Sequence, residues 1–323
     1  MTRRTEFGSV GQLGRRMLGA AAGLLLDRIL GELPARVHPV VMFGKSARRL
    51  EDHIWSDSFL SGSFAWTFLL GTIWLVGSVP SESIASVALS TYLATAERSL
   101  LTEAGAVADL LEEGDIEGAR GRLLALVGRD RDSLDTTGIA RAVVESVAEN
   151  TVDAVVAPLF WSAVCGARGA LAYRAINTLD SMFGHRSEMY RRFGWASART
   201  DDLANYIPAR IVLLLASYVG PIRQRPAAAL EDARLHPSPN AGVAEASFAR
   251  ALSVRLGGSL SYSGVAESRP ILAPFGSDPK PSEVRAAIRL SRRLDTVISL
   301  VLLVLGLLLV GFDGIMHKED GRP

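Results

Sequence analysis

Seventeen consecutive residues, Thr296 to Phe312, carry no charge and are almost all Val, Leu, Ile and Gly. That run approaches the ~20 apolar residues a helix needs to cross a bilayer core. Phe64 to Val79 is a second charge-free run, sixteen residues long. Weaker apolar segments lie at Met17–Leu33, Ile84–Thr95, Val155–Ala172 and Ile207–Ile222. A buried core helix explains any one of the weaker segments, but not the whole set together with the terminal run. Mean hydropathy is +0.22 and β-branched alternation is scarce. The expected fold is therefore all-α and multi-pass in a membrane, with roughly five to six apolar helices, a small soluble helical segment and a Pro/Gly-rich loop region.

Arginines cluster at Arg3, Arg4, Arg15 and Arg16, and again at Arg285, Arg289, Arg292 and Arg293. Under the positive-inside rule both clusters are cytoplasmic, with the N-terminus inside and the C-terminus outside. That requires an odd number of crossings, so at least one of the six segments should fail to span. Asp27 and Arg28 interrupt the first apolar segment and no small-residue cleavage site follows, so it reads as retained and not as a signal peptide. One chain-long membrane domain (1–323) is expected. It divides into an N-terminal membrane unit (1–96), a soluble helical segment (97–149), a motif-bearing membrane segment (150–222), a loop-rich face (223–293) and a C-terminal helix and tail (294–323). Within the soluble segment, Glu97–Glu113 and Ile116–Val127 read as helices joined by a turn at Gly114-Asp115. A net charge of +1 gives no argument for nucleic acid, and the lone Cys165 excludes an intramolecular disulfide or a Cys-rich zinc site. Five histidines without an H-x-x-x-H pair argue against zinc altogether.

Two related tetrapeptides carry the polar chemistry: Asn150-Thr151-Val152-Asp153 and Asn177-Thr178-Leu179-Asp180. Asp202 and Asn205 repeat the acid–amide spacing. Residues i and i+3 share a helix face, so each pair can present a carboxylate and an amide to one point. Ionisable groups beside membrane-like sequence are costly and mark function by default. The bland account makes each Asn or Thr a helix N-cap, with Asp favourable in the first turn. Upstream, Arg141, Glu145, Glu149 and Asp153 form a polar stripe at four-residue spacing, and Glu145 and Glu149 repel unless a cation lies between them. Oxygen-only ligands of this kind suit Mg²⁺. The arginines between Arg186 and Arg199, interleaved with acids, suit a polyphosphate and its metal. No P-loop and no G-x-G-x-x-G turn occurs.

Residues 24–44, 129–161, 173–211 and 236–264 together resemble the CobD/CbiB family of cobalamin biosynthesis, the adenosylcobinamide-phosphate synthases. The stretches include His38-Pro39, the Asn-Thr-x-Asp pairs, Asp201-Asp202 and His236-Pro237-Ser238-Pro239-Asn240, in the family's order. Departures occur at Val243-Ala244, where the family often has Trp-Pro, and at His185, where many members have Tyr. The resemblance implies a carbon–nitrogen ligase of the cytoplasmic membrane with its active site on the cytoplasmic side. It would join adenosylcobyric acid to (R)-1-aminopropan-2-ol or its O-phosphate, using ATP as co-substrate and Mg²⁺.

That chemistry gives the residues expected roles. Glu149, Asp153, Asp180 and Asp202 are candidate Mg²⁺ ligands. Asp27, Arg141, Asn150, Asn177, Arg186, Arg192, Asn205, His236, Asn240, Gly257 and Gly258 are candidates for binding phosphate or substrate. Glu145, His38 and His185 are candidate general bases. Expected partners are the corrinoid and aminopropanol substrates, membrane lipid and other enzymes of the late cobalamin pathway, with no nucleic acid. The competing readings are a corrinoid-binding membrane transporter, which predicts repeated membrane halves, and a non-catalytic sensor of the AmpE type, which has no need of the Arg/Asp/Asn set at 177–205.

Overall fold

Helix propensity and end signals agree along most of the chain. The computed structural model describes residues 2–78, 82–127, 134–184, 187–262 and 265–319. Its helices are α1 (Thr2–Leu30), α2 (Pro39–Ile54), α3 (Phe59–Val76), α4 (Ile84–Ala94), α5 (Glu97–Glu113), α6 (Ile116–Leu123), α7 (Thr136–Thr151), α8 (Ala157–Phe183), α9 (Trp195–Ala204), α10 (Tyr206–Val219), α11 (Pro226–Ala233), α12 (Ala241–Leu252) and α13 (Pro281–Glu319). A π-helical turn, Val152–Val156, joins α7 to α8. Several starts are fixed by side chains that accept an otherwise unpaired N–H. Ser58 accepts from Leu60, Asp115 from Gly118 and Asp135 from Gly138. The expected turn at Gly114-Asp115 is present, with Gly114 at φ +81°.

The chain divides into two compact units. The first comprises residues 1–96, 157–204 and 297–323. In it α1 packs along α4 through Gly19 and Gly23, four residues apart. A Cβ on Gly23 would lie 2.7 Å from the Ala88 carbonyl oxygen and 2.4 Å from Thr91 Cβ. Small residues at such a spacing let two helix backbones approach closely. Gly14 of α1 and Gly306 of α13 meet in the same way. A separate aromatic cluster gathers Phe183, Phe193, Leu69, Leu179 and Ala47, with Phe183 and Phe193 edge to face at 5.5 Å.

Helix α8 is broken at Gly166, whose φ of 65° and ψ of −148° lie outside the helical region. A Cβ on Gly169 would lie 2.1 Å from the Trp161 carbonyl oxygen. In an unbroken helix those residues would stand about 12 Å apart along the axis. The arms Ala157–Cys165 and Ala167–Phe183 therefore double back on one another, and Val155–Ala172 is a fold-back, not a straight span. Arg16 secures its tip by donating to the Val164 carbonyl at 2.8 Å and pairing with Glu82 at 2.7 Å.

The second unit comprises residues 97–156 and 205–296. Its core is formed by Val143, Val144 and Val147 of α7, Phe248 of α12, and Leu256 and Leu272, all fully buried. The Pro/Gly-rich stretch that composition reads as loop contains α11, α12 and an antiparallel hairpin, β1 (Leu256–Tyr262) and β2 (Val265–Leu272). Glycines depress strand propensity there, but Gly257 and Gly258 both take positive φ and form a bulge.

The number of apolar helices needs correction. Among the described residues three helical stretches are long and apolar enough to cross a membrane, and not five to six: Phe59–Val76, Thr136–Phe183 and Pro281–Met316. The second contains the break at Gly166. Hydropathy counted α4 and α10 as candidates, yet at 11 and 14 residues they fall short of the ~20 that a bilayer core demands. The segment at Met17–Leu33 lies in α1 as far as Leu30, where the helix ends, and carries a fully buried Asp27. The outer stretches of α3 and α13 are exposed and apolar, as lipid contact requires: only 17% and 22% of their most apolar windows are buried.

Replacing Gly166 by Ala forces an L-residue into a positive-φ conformation and brings a Cβ to 2.4 Å from Glu82 Oε2. The variant should lose about 2 kcal/mol of stability, read as a lowered melting temperature in detergent. Gly71→Ala, at a site with nothing within 4 Å, should melt like the parent.

Candidate functional site

Each unit carries its own polar face. In the first unit, Asn177 and Asp180 lie one turn apart inside the second arm of α8 and therefore share a face. Asn177 Nδ2 approaches Asp201 Oδ1 at 3.5 Å, a weak contact. Arg174, one turn before Asn177, has a buried Nε without a hydrogen-bond partner among the described residues. Asp180 packs its carboxylate over the Gly184 backbone, where a Cβ would stand 1.8 Å from Oδ1. Asp202 of α9 pairs with Arg199 at 3.4 Å, and Arg192 pairs with Asp57 at 3.3 Å. His185 and Arg186 lie outside the described residues.

His38 caps α2: its Nδ1 accepts the Val40 N–H at 3.2 Å. An accepting Nδ1 carries no proton, so in the neutral ring the proton resides on Nε2. Burial is the main influence lowering the His38 pKa below its ordinary 6.5; Glu32 opposes the shift and Arg174 adds to it. The ring is thus neutral at pH 7 with its basic nitrogen already engaged, which suits a donor role better than that of a base. Nearby in sequence, buried Glu51 accepts from Tyr190 at 2.6 Å and from Arg48 at 2.6 Å. Burial, then the bond to Glu51, raises the Tyr190 pKa.

In the second unit, the Glu145 carboxylate is buried and accepts the Gly257 N–H at 2.8 Å. That bond fixes the glycine bulge, where a Cβ on Gly257 would lie 2.1 Å from the Pro270 carbonyl oxygen. Gly258, at φ +90°, has nothing within 4 Å of its Cβ position. Asp278 binds two guanidinium groups, Arg255 at 2.9 Å and Arg141 at 3.3 Å. The Arg255 hydrogen bond, with further help from Arg141, holds the Asp278 carboxyl below its usual range. Arg141 retains a buried Nε without a partner among the described residues. Asn150 spends its amide on Ser146, donating to the carbonyl at 2.9 Å, while Glu149 is exposed. Asp153 sits on the π-turn, an irregularity frequent at functional sites.

The same unit holds the His-Pro-Ser-Pro-Asn loop. The His236 ring is buried, with Nε2 3.7 Å from Glu245 Oε2. Its fit depends on Gly242, whose Cβ would lie 2.4 Å from His236 Cβ. Asn240 precedes α12 and accepts from Arg210 Nη1 at 2.6 Å, and that guanidinium stacks 3.8 Å from the Tyr206 ring centroid. Asn205, just before α10, is buried and makes no side-chain cap.

The N-cap account of the tetrapeptides fails. Both lie within continuous helical backbone, the first at the α7–π junction and the second in the α8 arm. Sequence reasoning passed over Arg174, Arg210, Glu245 and Asp278, and named Asp201 only as part of a motif without giving it a role. Arg174 was legible from its place one turn before Asn177. The roles of Arg210 and Asp278 arise from contacts across 30 and 137 residues of sequence, which no local pattern encodes. Among the described residues no three His, Cys, Asp or Glu side chains converge as a metal cage would require. Mg²⁺ does not need such a cage, because it keeps several waters and binds through one or two carboxylates plus substrate phosphates.

A family model described as CobD/Cbib protein matches residues 20–291. A Mycobacterium tuberculosis (strain ATCC 25618 / H37Rv) protein named Cobalamin biosynthesis protein CobD is 45% identical over 288 residues, spanning 86% of this chain and 91% of that protein. Proteins of the same name from Rhodobacter capsulatus and Stutzerimonas stutzeri are 41% and 42% identical. Those matches span 82% and 84% of this chain, and 88% and 92% of the relatives. No solved structure matches.

The His38 analysis fixes a pH dependence. A folded pKa below the unfolded 6.5 means that the unfolded chain binds the proton more readily, so the stabilisation is complete above pH 6.5 and is lost as pH falls through the folded value. Protonation also removes the cap on Val40. Chemical unfolding should show the parent losing stability between pH 7.5 and 5.5, while His38→Asn, which keeps a capping acceptor, loses less; equal losses would refute the assignment.

Proposed function

The chain belongs to the CobD/CbiB family of cobalamin biosynthesis, and we propose that it forms the amide bond between adenosylcobyric acid and (R)-1-aminopropan-2-ol or its O-phosphate. A carboxylate is inert to amines. ATP transfers its γ-phosphoryl group to a propionate oxygen of the corrinoid, releasing ADP. The amine then attacks the acyl carbon, loses a proton and displaces inorganic phosphate. The phosphoryl step depends mainly on positioning and charge neutralisation.

The observation that carries this reading is the shared face of Arg174, Asn177 and Asp180 on one rigid helical arm, with Asp201 beside Asn177. A buried guanidinium nitrogen without a hydrogen-bond partner among the described residues, on the same arm as an amide and a carboxylate, is suited to an oxyanion. Asp180 and Asp202 of the first unit are proposed to hold Mg²⁺, which when bound would neutralise phosphate oxygens; Glu149 and Asp153, four residues apart on the second unit, are a separate candidate pair. Asn177 and Arg192 orient phosphate, with Arg186 assigned the same task; Asn150 and Asn205, on the second unit, are substrate-binding candidates there. In the second unit Arg141 neutralises charge and His236, Asn240 and the Gly257–Gly258 bulge shape a corrinoid subsite, while Asp27 is a substrate-binding candidate of the first unit. Glu145 is the favoured base: a carboxylate can hold the Gly257 N–H and still take a proton from the amine, whereas the basic nitrogen of His38 is engaged. ATP places these groups on the cytoplasmic side of the cell membrane, where other late enzymes of the pathway would meet the product.

Purified protein supplied with adenosylcobyric acid, Mg-ATP and either amine should yield the corresponding cobinamide by mass spectrometry, and the preferred amine identifies the natural acceptor. Asp180→Asn should lower kcat by about a hundredfold or more while corrinoid binding persists. Corrinoid binding without product under every condition would favour a transporter or a sensor, and full activity in the variant would remove Asp180 from the site.

A further inference from the structure

At the tip of the α8 fold-back the first unit contains a cavity of about 300 Å³ lined by Gln12, Arg16, Trp74, Glu82, Cys165 and Arg168. It takes no part in the proposed ligation. Arg16 is committed to Glu82 and to the Val164 carbonyl. Arg168 is not: its Nε is buried and has no hydrogen-bond partner among the described residues. Leaving a guanidinium N–H buried and unpaired forfeits the hydrogen bond that water would have supplied, a cost normally met by a ligand or another residue. Two arginines and one carboxylate leave one positive charge among these lining groups, so a single anion neutralises it. Planar guanidinium donors match phosphate oxygens.

The position of the cavity argues for the source of that phosphate. Trp74, in the last turn of α3, lines it, and the neighbouring Leu75 and Val76 are 70% and 54% exposed. Tryptophan concentrates at the level of lipid head groups, and exposed leucine and valine beside it suit acyl chains. The geometry points to a phosphate-binding pocket that takes the head group of an anionic phospholipid, with Arg168 as its principal ligand and Trp74 at the interface.

Cys165 lines the pocket and is the chain's lone cysteine, so its modification by neutral N-ethylmaleimide reports occupancy. Full-length protein in nanodiscs should be labelled several-fold more slowly when phosphatidylglycerol is present than in phosphatidylcholine alone. Arg168→Gln should weaken that protection about tenfold, the equivalent of one hydrogen bond to a charged group, and Arg168→Lys should retain part of it. Protection by millimolar inorganic phosphate alone, with none from phosphatidylglycerol, would keep the oxyanion site but overturn the lipid as its source. Absence of protection by either probe, or undiminished protection in a folded Arg168→Gln protein, would overturn the pocket.

Discussion

An apolar helix that stops short of water must find partners for its terminal carbonyls, and the break at Gly166 is where this protein meets that constraint. The backbone there takes a conformation that only glycine adopts freely. Arg16 supplies a donor to the Val164 carbonyl, and Glu82 supplies the countercharge. Irregular backbone is tolerated at membrane depth only when protein or a wet cavity satisfies it. Because the arms double back, the second arm presents Arg174, Asn177 and Asp180 in fixed register on a helix, and not on a loop. Rigid placement of that kind is what a reaction governed by positioning requires.

Buried polar groups elsewhere follow the same logic. Glu145 holds the glycine bulge through the Gly257 N–H, Asp278 joins Arg141 to Arg255, and Arg210 anchors Asn240 while stacking on Tyr206. Each bond ties a motif residue to an element remote in sequence. Several of the residues singled out by motif thus shape the local backbone, His236 against Gly242 being the plainest case.

The sequence made much of this legible. Apolar runs located α3 and the outer part of α13, and the turn at Gly114-Asp115 fell where helix-end chemistry puts it. Hydropathy overcounted the spans because it records composition and not length or direction: α4 and α10 are apolar but short, and one glycine reverses α8. The hairpin at 256–272 was hidden because positive-φ glycines and prolines read as loop. The tetrapeptides announced themselves by repetition, yet only the backbone shows that neither is a cap. Arg174 was overlooked although its place one turn before Asn177 made it legible, because the repeat drew attention to the tetrapeptide and not to the residue ahead of it.

The central claim is that the corrinoid carboxylate is activated by phosphoryl transfer before the amine attacks. Its most direct test follows the carboxylate oxygens. With adenosylcobyric acid labelled with ¹⁸O at the reacting carboxylate, each amide formed should deliver one labelled oxygen to inorganic phosphate, detected by mass spectrometry. Phosphate free of label, or label recovered in AMP, would contradict the account.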